Sequence, residues 1–299
     1  MSLYTLWGAL EIGLVFSLVS LGVFMTFRVL NFPDLTVDGS FPLGGATAAI
    51  LISTGHDPFV ATLVATVAGA AAGGLTGFIN VRLKIMDLLA GILVMIALYS
   101  INLRVMGGPN VPLITEPTVF SVLPDWFPDY VERPLALLLL VGLIKWALDR
   151  FFASELGLAL RATGANARMA RAQGVNTGRA VLLGMAISNA LVALAGALFA
   201  QSQGGADISM GIGTIVIGLA AVIMGEGVLP ARRMVWTTFA VLLGAVVYRV
   251  MVAIALNSDF IGLEAQDLNL VTAVLVGAAL VLPRFMAKRK ASRRVPGAG

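Results

Sequence analysis

Three aspartates stand in a chain that otherwise avoids charge. Asp34 and Asp38 lie in NFPDLTVDGS (31–40), and Asp207 lies in GGADISMGIG (204–213). A carboxylate in such a setting can cap a helix start, contact a substrate or an ion, or relay a proton. Asp38 precedes Gly-Ser and Asp34 follows Pro33, both good N-cap settings, so capping is the first reading. Glu11, Lys145 and Arg249 also lie in or near apolar segments, where an ionisable group is costly. Lys145 has Asp149 one turn on and is expected to snorkel to an interface, while Arg249 stays open. The single histidine, His56, sits in a Ser-Thr-Gly-His-Asp-Pro turn and reads as an ordinary interfacial residue. There is no cysteine, so disulfides, thiolate metal sites and Cys nucleophiles are excluded. No acid–base or nucleophile constellation suggests an enzyme, and no metal site is expected.

The elements that position these groups follow from composition. The 299 residues are 59% hydrophobic and 12% charged, with a mean hydropathy of +0.94. A soluble domain keeps about 25% of its residues charged. The runs Pro58–Val81, Ala180–Ala206 and Ile208–Gly225 contain no Asp, Glu, Lys or Arg. A helix of roughly 20 apolar residues crosses the hydrocarbon core. The expected fold class is therefore all-α, a polytopic membrane protein. MSLYTLWGAL lacks the basic start of a cleavable signal peptide, so the first apolar segment is expected to stay as a membrane helix.

Nine segments are expected, at about 6–28, 40–56, 58–81, 86–105, 133–152, 180–202, 209–225, 233–256 and 268–284. Basic residues gather at Arg28, at Arg82 with Lys84, from Arg150 to Arg179, at Arg232 with Arg233, and from Arg284 to Arg294. Acidic residues gather at the opposite ends, at Asp57, Glu116 to Glu132, Asp207, and Asp259 to Asp267. Because Arg and Lys resist translocation, nine crossings place the N-terminus outside and the C-terminus in the cytoplasm. The basic tail 286–299 reads as an anchor on anionic lipid rather than a nucleic-acid binder. The outer loop Gly107–Arg133, with Trp126, Phe127 and Tyr130, reads as an interfacial connector or a surface for a periplasmic partner.

A shift of 173 positions brings Leu18–Gly22 onto Leu191–Ala195 and Pro33-Asp34-Leu35-Thr36-Val37 onto Ala206-Asp207-Ile208-Ser209-Met210. Gly45 falls on Gly218. The shift predicts one transmembrane domain, 1–285, made of repeat one (about 6–152), a cytoplasmic segment (153–179) and repeat two (about 180–284). Five crossings separate the units, so the repeats are inverted, an architecture in which the path lies at their interface. After each aspartate comes a Gly- or Pro-rich stretch, a poor continuous helix that survives at membrane depth only when protein or a cavity satisfies it. Candidates for the path are Asn31, Asp34, Thr36, Asp38, Gly44, Gly45, Asp207, Ser209, Gly213 and Gly218.

Transport needs an energy source, and the chain has no Gly-x-x-x-x-Gly-Lys-Ser/Thr phosphate loop. The segment Ser154–Ala180 is the longest inner connection, punctuated by Gly157, Gly164 and Gly174. Asn166 is placed to cap a short helix, Ala167–Gln173, with Gly174 as its stop. If the segment is one continuous helix, Arg161, Arg168 and Arg171 share a face. It reads as a helix on anionic lipid or as a rigid element that transmits a push.

The stretch ELGLALRATGANARMARAQGVNTGRAVLLGMAISNALVALAGAL resembles the cytoplasmic loop and next helix of ABC-transporter permeases of the branched-chain amino acid and ribose type. NFPDLTVDGSFPLGGATAA is similar to that family's early Asn-Phe segment, and IGLAAVIMGEGVLPAR to its late Gly-rich one; the likeness runs from about 10 to 284. Ala167, Ala170, Gly174, Val175 and Asn176 match the family's coupling helix, which docks on a separate ATPase. The resemblance implies that 164–176 does the coupling, through Gly164, Ala165, Asn166, Ala167, Arg168, Met169, Ala170, Arg171, Gln173, Gly174, Val175 and Asn176. It further implies an importer of the bacterial inner membrane with cytoplasmic ATPases that hold the ATP and Mg, so this chain needs no cofactor. A second permease copy and an external solute-binding protein complete the assembly. PDLTVDGSFP departs from the plain Ala- or Ser-rich turn of many relatives and looks closer to a branch associated with aromatic amino acids. An amino acid is thus the expected solute; the competing reading is an ion-coupled carrier working without an ATPase.

Overall fold

The computed structural model describes residues 3–122, 128–231, 233–256 and 277. The helix α1 (Leu3–Val23) runs on as a wider π-helical stretch, Phe24–Leu30. A short break leads to α2 (Val37–Ser53), α3 (Pro58–Leu83) and α4 (Asp87–Met106). A connection with the strand β1 (Asn110–Pro112) leads to α5 (Asp129–Ala153). Two short helices follow, α6 (Glu155–Ala165) and α7 (Ala167–Ala172). Then come α8 (Thr177–Gln203), β2 (Gly205–Asp207), a 3-10 turn at Ile208–Gly211, α9 (Thr214–Val228) and α10 (Met234–Leu256).

Among the described residues, six helices are long and apolar enough to cross a membrane: Tyr4–Leu30, Pro58–Leu83, Asp87–Met106, Thr177–Gln203, Ile208–Val228 and Met234–Ala255. Of the other expected crossings, α2 is shorter. The helix α5 carries Asp129, Glu132, Arg133, Lys145, Asp149 and Arg150. Apart from residue 277, the segment 268–284 and the tail 286–299 lie outside the described residues, as do Trp126 and Phe127.

Helix directions can be read from pairs of contacts. Phe16 meets Phe199 with ring centroids 5.9 Å apart, Ser188 Oγ donates to Gly22 O at 2.8 Å, and Gly184 lies against Leu30. As α1 advances α8 recedes, so the two are antiparallel. Down the same α8, α3 packs antiparallel, with Gly69 against Ala193 and Gly77 against Leu182. The helix α2 climbs α8 in the same direction, from Asp34 at Asn189 to Ala48 at Ala197. Likewise α9 follows α1, from Gly218 at Val19 and Val23 to Glu226, which pairs with Arg28.

The close contacts depend on small residues. A Cβ on Gly44 would lie 1.9 Å from Ala193 O, so only glycine lets α2 and α8 touch backbone to backbone. Ala48, Ala65 and Ala197 form a buried small-residue seam among α2, α3 and α8. Lipid offers no hydrophobic drive between helices, and such close packing supplies the attraction instead. The main core is Leu18, Val19, Val23, Phe41, Val192 and Leu198 with their neighbours.

Several expectations are corrected. The Gly- and Pro-rich start of α2 is a continuous helix in spite of Pro42, which lies in its second turn and forgoes one backbone bond; the real break is 31–36. Gly157 and Gly164 do not split the inner segment. Both lie within α6, where a Cβ would collide with Phe151 O at 2.1 Å and Val29 O at 1.8 Å. The helix breaks instead at Asn166, so Arg161 lies on α6 and Arg168 and Arg171 on α7, with no shared continuous face. Lys145 does not snorkel: its Nζ pairs with Asp149, both largely buried, and Thr238 donates to the other Asp149 oxygen at 2.7 Å. The loop 107–133 carries β1, which pairs antiparallel with β2, Asn110 opposite Asp207.

Candidate functional site

The break between α1 and α2 is built from the backbone outward. At the end of the π-helical stretch Asn31 takes a left-handed conformation, φ 55°, a geometry asparagine tolerates better than most side chains. The chain then turns inward, and Asp34 is fully buried. Its Oδ1 accepts from Thr36 N at 2.9 Å and its Oδ2 from Asn189 Nδ2 at 2.8 Å. Asn189 lies near the middle of the 27-residue α8, which sets the break at mid-depth in the bundle. Thr36 Oγ1 shares a hydrogen bond of 2.8 Å with Thr76 Oγ1. Broken backbone is thus satisfied by protein, as membrane depth demands.

Asp38 does not cap its own helix. Thr36 holds the N-cap position of α2, and Asp38 Oδ1 accepts from Ile215 N at 2.8 Å, in the first turn of α9. The 3-10 turn brings Gly211 against Asp38 O and Pro42. The starts of α2 and α9 therefore meet, and the helices leave that point toward opposite ends of the bundle. Each helix N-terminus carries a partial positive charge of about half a unit, so one carboxylate between two of them is well placed.

Of the expected path residues, Asp34, Thr36, Asp38 and Gly213 gather around this mid-depth junction, while Asn31 is exposed at the end of the π-helical stretch. Gly44 and Gly45 face α8 and Met210, and Gly218 faces α1. Asp207 and Ser209 lie apart, at the β1–β2 ribbon: Asp207 Oδ1 accepts from Ser209 N at 2.7 Å and from the Ser209 hydroxyl. Those bonds, the hydroxyl first, hold the Asp207 carboxyl below its ordinary range. Arg249 stacks on the Phe16 ring at 4.5 Å, with its buried Nε lacking a hydrogen-bond partner. Glu11 accepts from Ser202 Oγ at 2.6 Å.

Beside Asp38 opens a cavity of about 530 Å³, lined by Gly39, Pro42, Met95, Ile96, Tyr99, Ser100, Asn102, Ile208 and Ile212. Neither Asn102 nor Asn189 stood out in the sequence, since a neutral amide carries no charge pattern. The available signal was an amide inside a strongly apolar run, which is itself expensive in a membrane.

At the other end, α7 forms as expected. Asn166 Oδ1 accepts from Arg168 N at 3.1 Å and Met169 N at 3.0 Å. Gly174 takes φ 84°, and Val175 N returns to Ala170 O at 3.0 Å. Arg161, Arg168, Met169, Arg171, Gln173 and Asn176 are exposed, whereas Ala170 is buried. Gly164, at the end of α6, rests on Val29 and Leu30. The short helices thus abut the stretch that leads to Asn31 and Asp34.

Long apolar helices packed around two helix starts that meet at mid-depth define a multi-pass membrane protein of the transport kind. The family model for the branched-chain amino acid transport system, permease component, matches residues 6–282, and the chain belongs to that family, as the permease component of an ABC importer. It is 38% identical to the tyrosine transport system permease protein of Clostridioides difficile (strain R20291), over 89% of this chain and 87% of that one. It is 33% identical to an uncharacterized protein of Rickettsia prowazekii (strain Madrid E), over 91% and 95%. With the ribose import permease protein of Escherichia coli (strain K12) it shares 27% identity over 64% and 60%.

Proposed function

We propose that this permease imports an amino acid, with an aromatic side chain favoured, across a bacterial inner membrane by alternating access. The observation that carries the reading is the junction at Asp38, where α2 and α9 start. Similarity to a tyrosine transport permease supports the solute class.

In this reading the two halves are inverted repeats. A shift of 173 carries the α1 stretch 3–30 onto 176–203, where α8 stands, and α3 onto 231–256, where α10 stands. It also carries Asn31 onto Gly204, and both are left-handed. Thr36 N bonds Asp34 as Ser209 N bonds Asp207. The antiparallel course of α1 and α8 is what inversion requires. The counterpart of α4, 260–279, lies outside the described residues.

Two copies enclose the path, and a solute-binding protein delivers to the outer face. ATPases, which carry the ATP and Mg, dock on 164–176. Their closure moves α7, and α6 passes the motion through Gly164 to the 29–31 stretch and so to the junction. A nucleotide shifts such an equilibrium only as far as it favours one state over the other. The basic clusters support an orientation with α7 in the cytoplasm, the N-terminus outside and the C-terminus inside.

The test is uptake into proteoliposomes holding this permease with its co-encoded ATPase, supplied with the co-encoded binding protein. ATP-dependent accumulation of tyrosine supports the reading. Accumulation by the permease alone under a proton gradient would instead establish an ion-coupled carrier.

A further inference from the structure

We propose that the cavity beside Asp38 is a solute subsite in the permease itself, one that takes the ammonium group of an amino acid whose side chain is large and apolar. The inference rests on the amino-acid reading above and adds the contact that recognises the solute. The cavity's side chains offer hydroxyls, from Tyr99 and Ser100, and acceptors, but no cation. Asp38 supplies a carboxylate, and Asn102 supplies an amide oxygen that has no hydrogen-bond partner although the residue is 0% exposed. The orientation of that amide is fixed, because its Nδ2 donates to Gly39 O at 3.1 Å. Lys and Arg are absent from the lining. Two acceptors without a cation suit a group with several N–H donors, as an ammonium has.

The remaining wall sets the other end of the solute. Pro42, Met95, Ile96, Tyr99, Ile208 and Ile212 surround about 530 Å³, a volume in the ordinary range for small-molecule pockets. Ile96, Tyr99 and Ile212 are exposed at the mouth. A half-buried carboxylate is costly against hydrocarbon, and in this proposal the mouth opens on the watery path. Two helix starts already balance the Asp38 charge.

The chain has no cysteine, so Ser100→Cys places a single reporter thiol in the cavity. In the full-length permease in lipid nanodiscs, the rate of labelling by a small thiol reagent is followed against three probes. L-tyrosine and tyramine, which share the ammonium group and the ring, should slow labelling, and 3-(4-hydroxyphenyl)propionate should have no effect. Adding Asp38→Asn, which keeps an oxygen for Ile215 N, should raise the half-protecting tyrosine concentration about tenfold or more, the effect of losing one charge-assisted bond. Equal protection by all three probes, or none by tyrosine in a monodisperse sample, overturns the subsite. So does unchanged protection in Asp38→Asn. ATP-driven tyrosine uptake measured alongside separates the two ideas: if it persists while protection fails, only the subsite is wrong.

Discussion

Asp34 shows how a buried carboxylate is kept in this fold. Each oxygen has a donor, Thr36 N and Asn189 Nδ2. Asn189→Leu removes one donor and strands an oxygen at mid-depth, at a cost of about 1–3 kcal/mol. A lower unfolding temperature in detergent should report it, and the double variant with Asp34→Leu should lose less than the sum of the two single changes, because the residues are directly coupled. Asp207, near the outer surface, has a different dependence. Its folded value is held below the ordinary 3.8 by Ser209, so its contribution is complete above 3.8 and is lost as pH falls through the lower folded value. The stability difference between the parent and Asp207→Asn should be constant through neutral pH and shrink only in that acid window; a difference that changes near pH 7 would assign the titration elsewhere.

At the scale of elements, α7 is a helix of six residues that cannot persist by propensity alone. Asn166 caps it, the turn at Gly174 closes it, and Ala170 pins it to the bundle. A side chain added at Gly174 meets no neighbour within 4 Å, so Gly174→Val acts through backbone strain at φ 84° and not through a clash. The expected outcome is normal membrane insertion with ATP hydrolysis uncoupled from uptake. Parent-level uptake per ATP hydrolysed would remove α7 from the coupling route. The short capped helix was legible in the sequence because its signals are local: Asn at one end, Gly at the other. The role of Gly164 was not, since a glycine that breaks a helix and one that lets a helix touch Val29 O look alike until the neighbour is known.

At the scale of the molecule, inversion makes a prediction about sides. In a chain without cysteine, Thr54→Cys after α2 should react with a membrane-impermeant maleimide from outside the cell, and Arg168→Cys on α7 only once the cytoplasmic face is opened. Both positions are exposed. Labelling of Arg168→Cys in intact spheroplasts would reverse the orientation.

The sequence by itself determined the membrane class, the segments at 58–81, 86–105 and 180–202, the cap at Asn166 and the family resemblance. These rest on composition, on runs of apolar residues and on local capping chemistry, all of which act over a few turns of one helix. Tertiary structure alone decided where Asp38 points. Read along the chain it is a cap for its own helix; in the fold its oxygen meets Ile215 N, 177 residues away. It also decided that Asn102 and Asn189 matter, and that Lys145 pairs with Asp149 under Thr238. A carboxylate is satisfied by whichever donor the packing brings within 3 Å, and at membrane depth that donor comes from another helix.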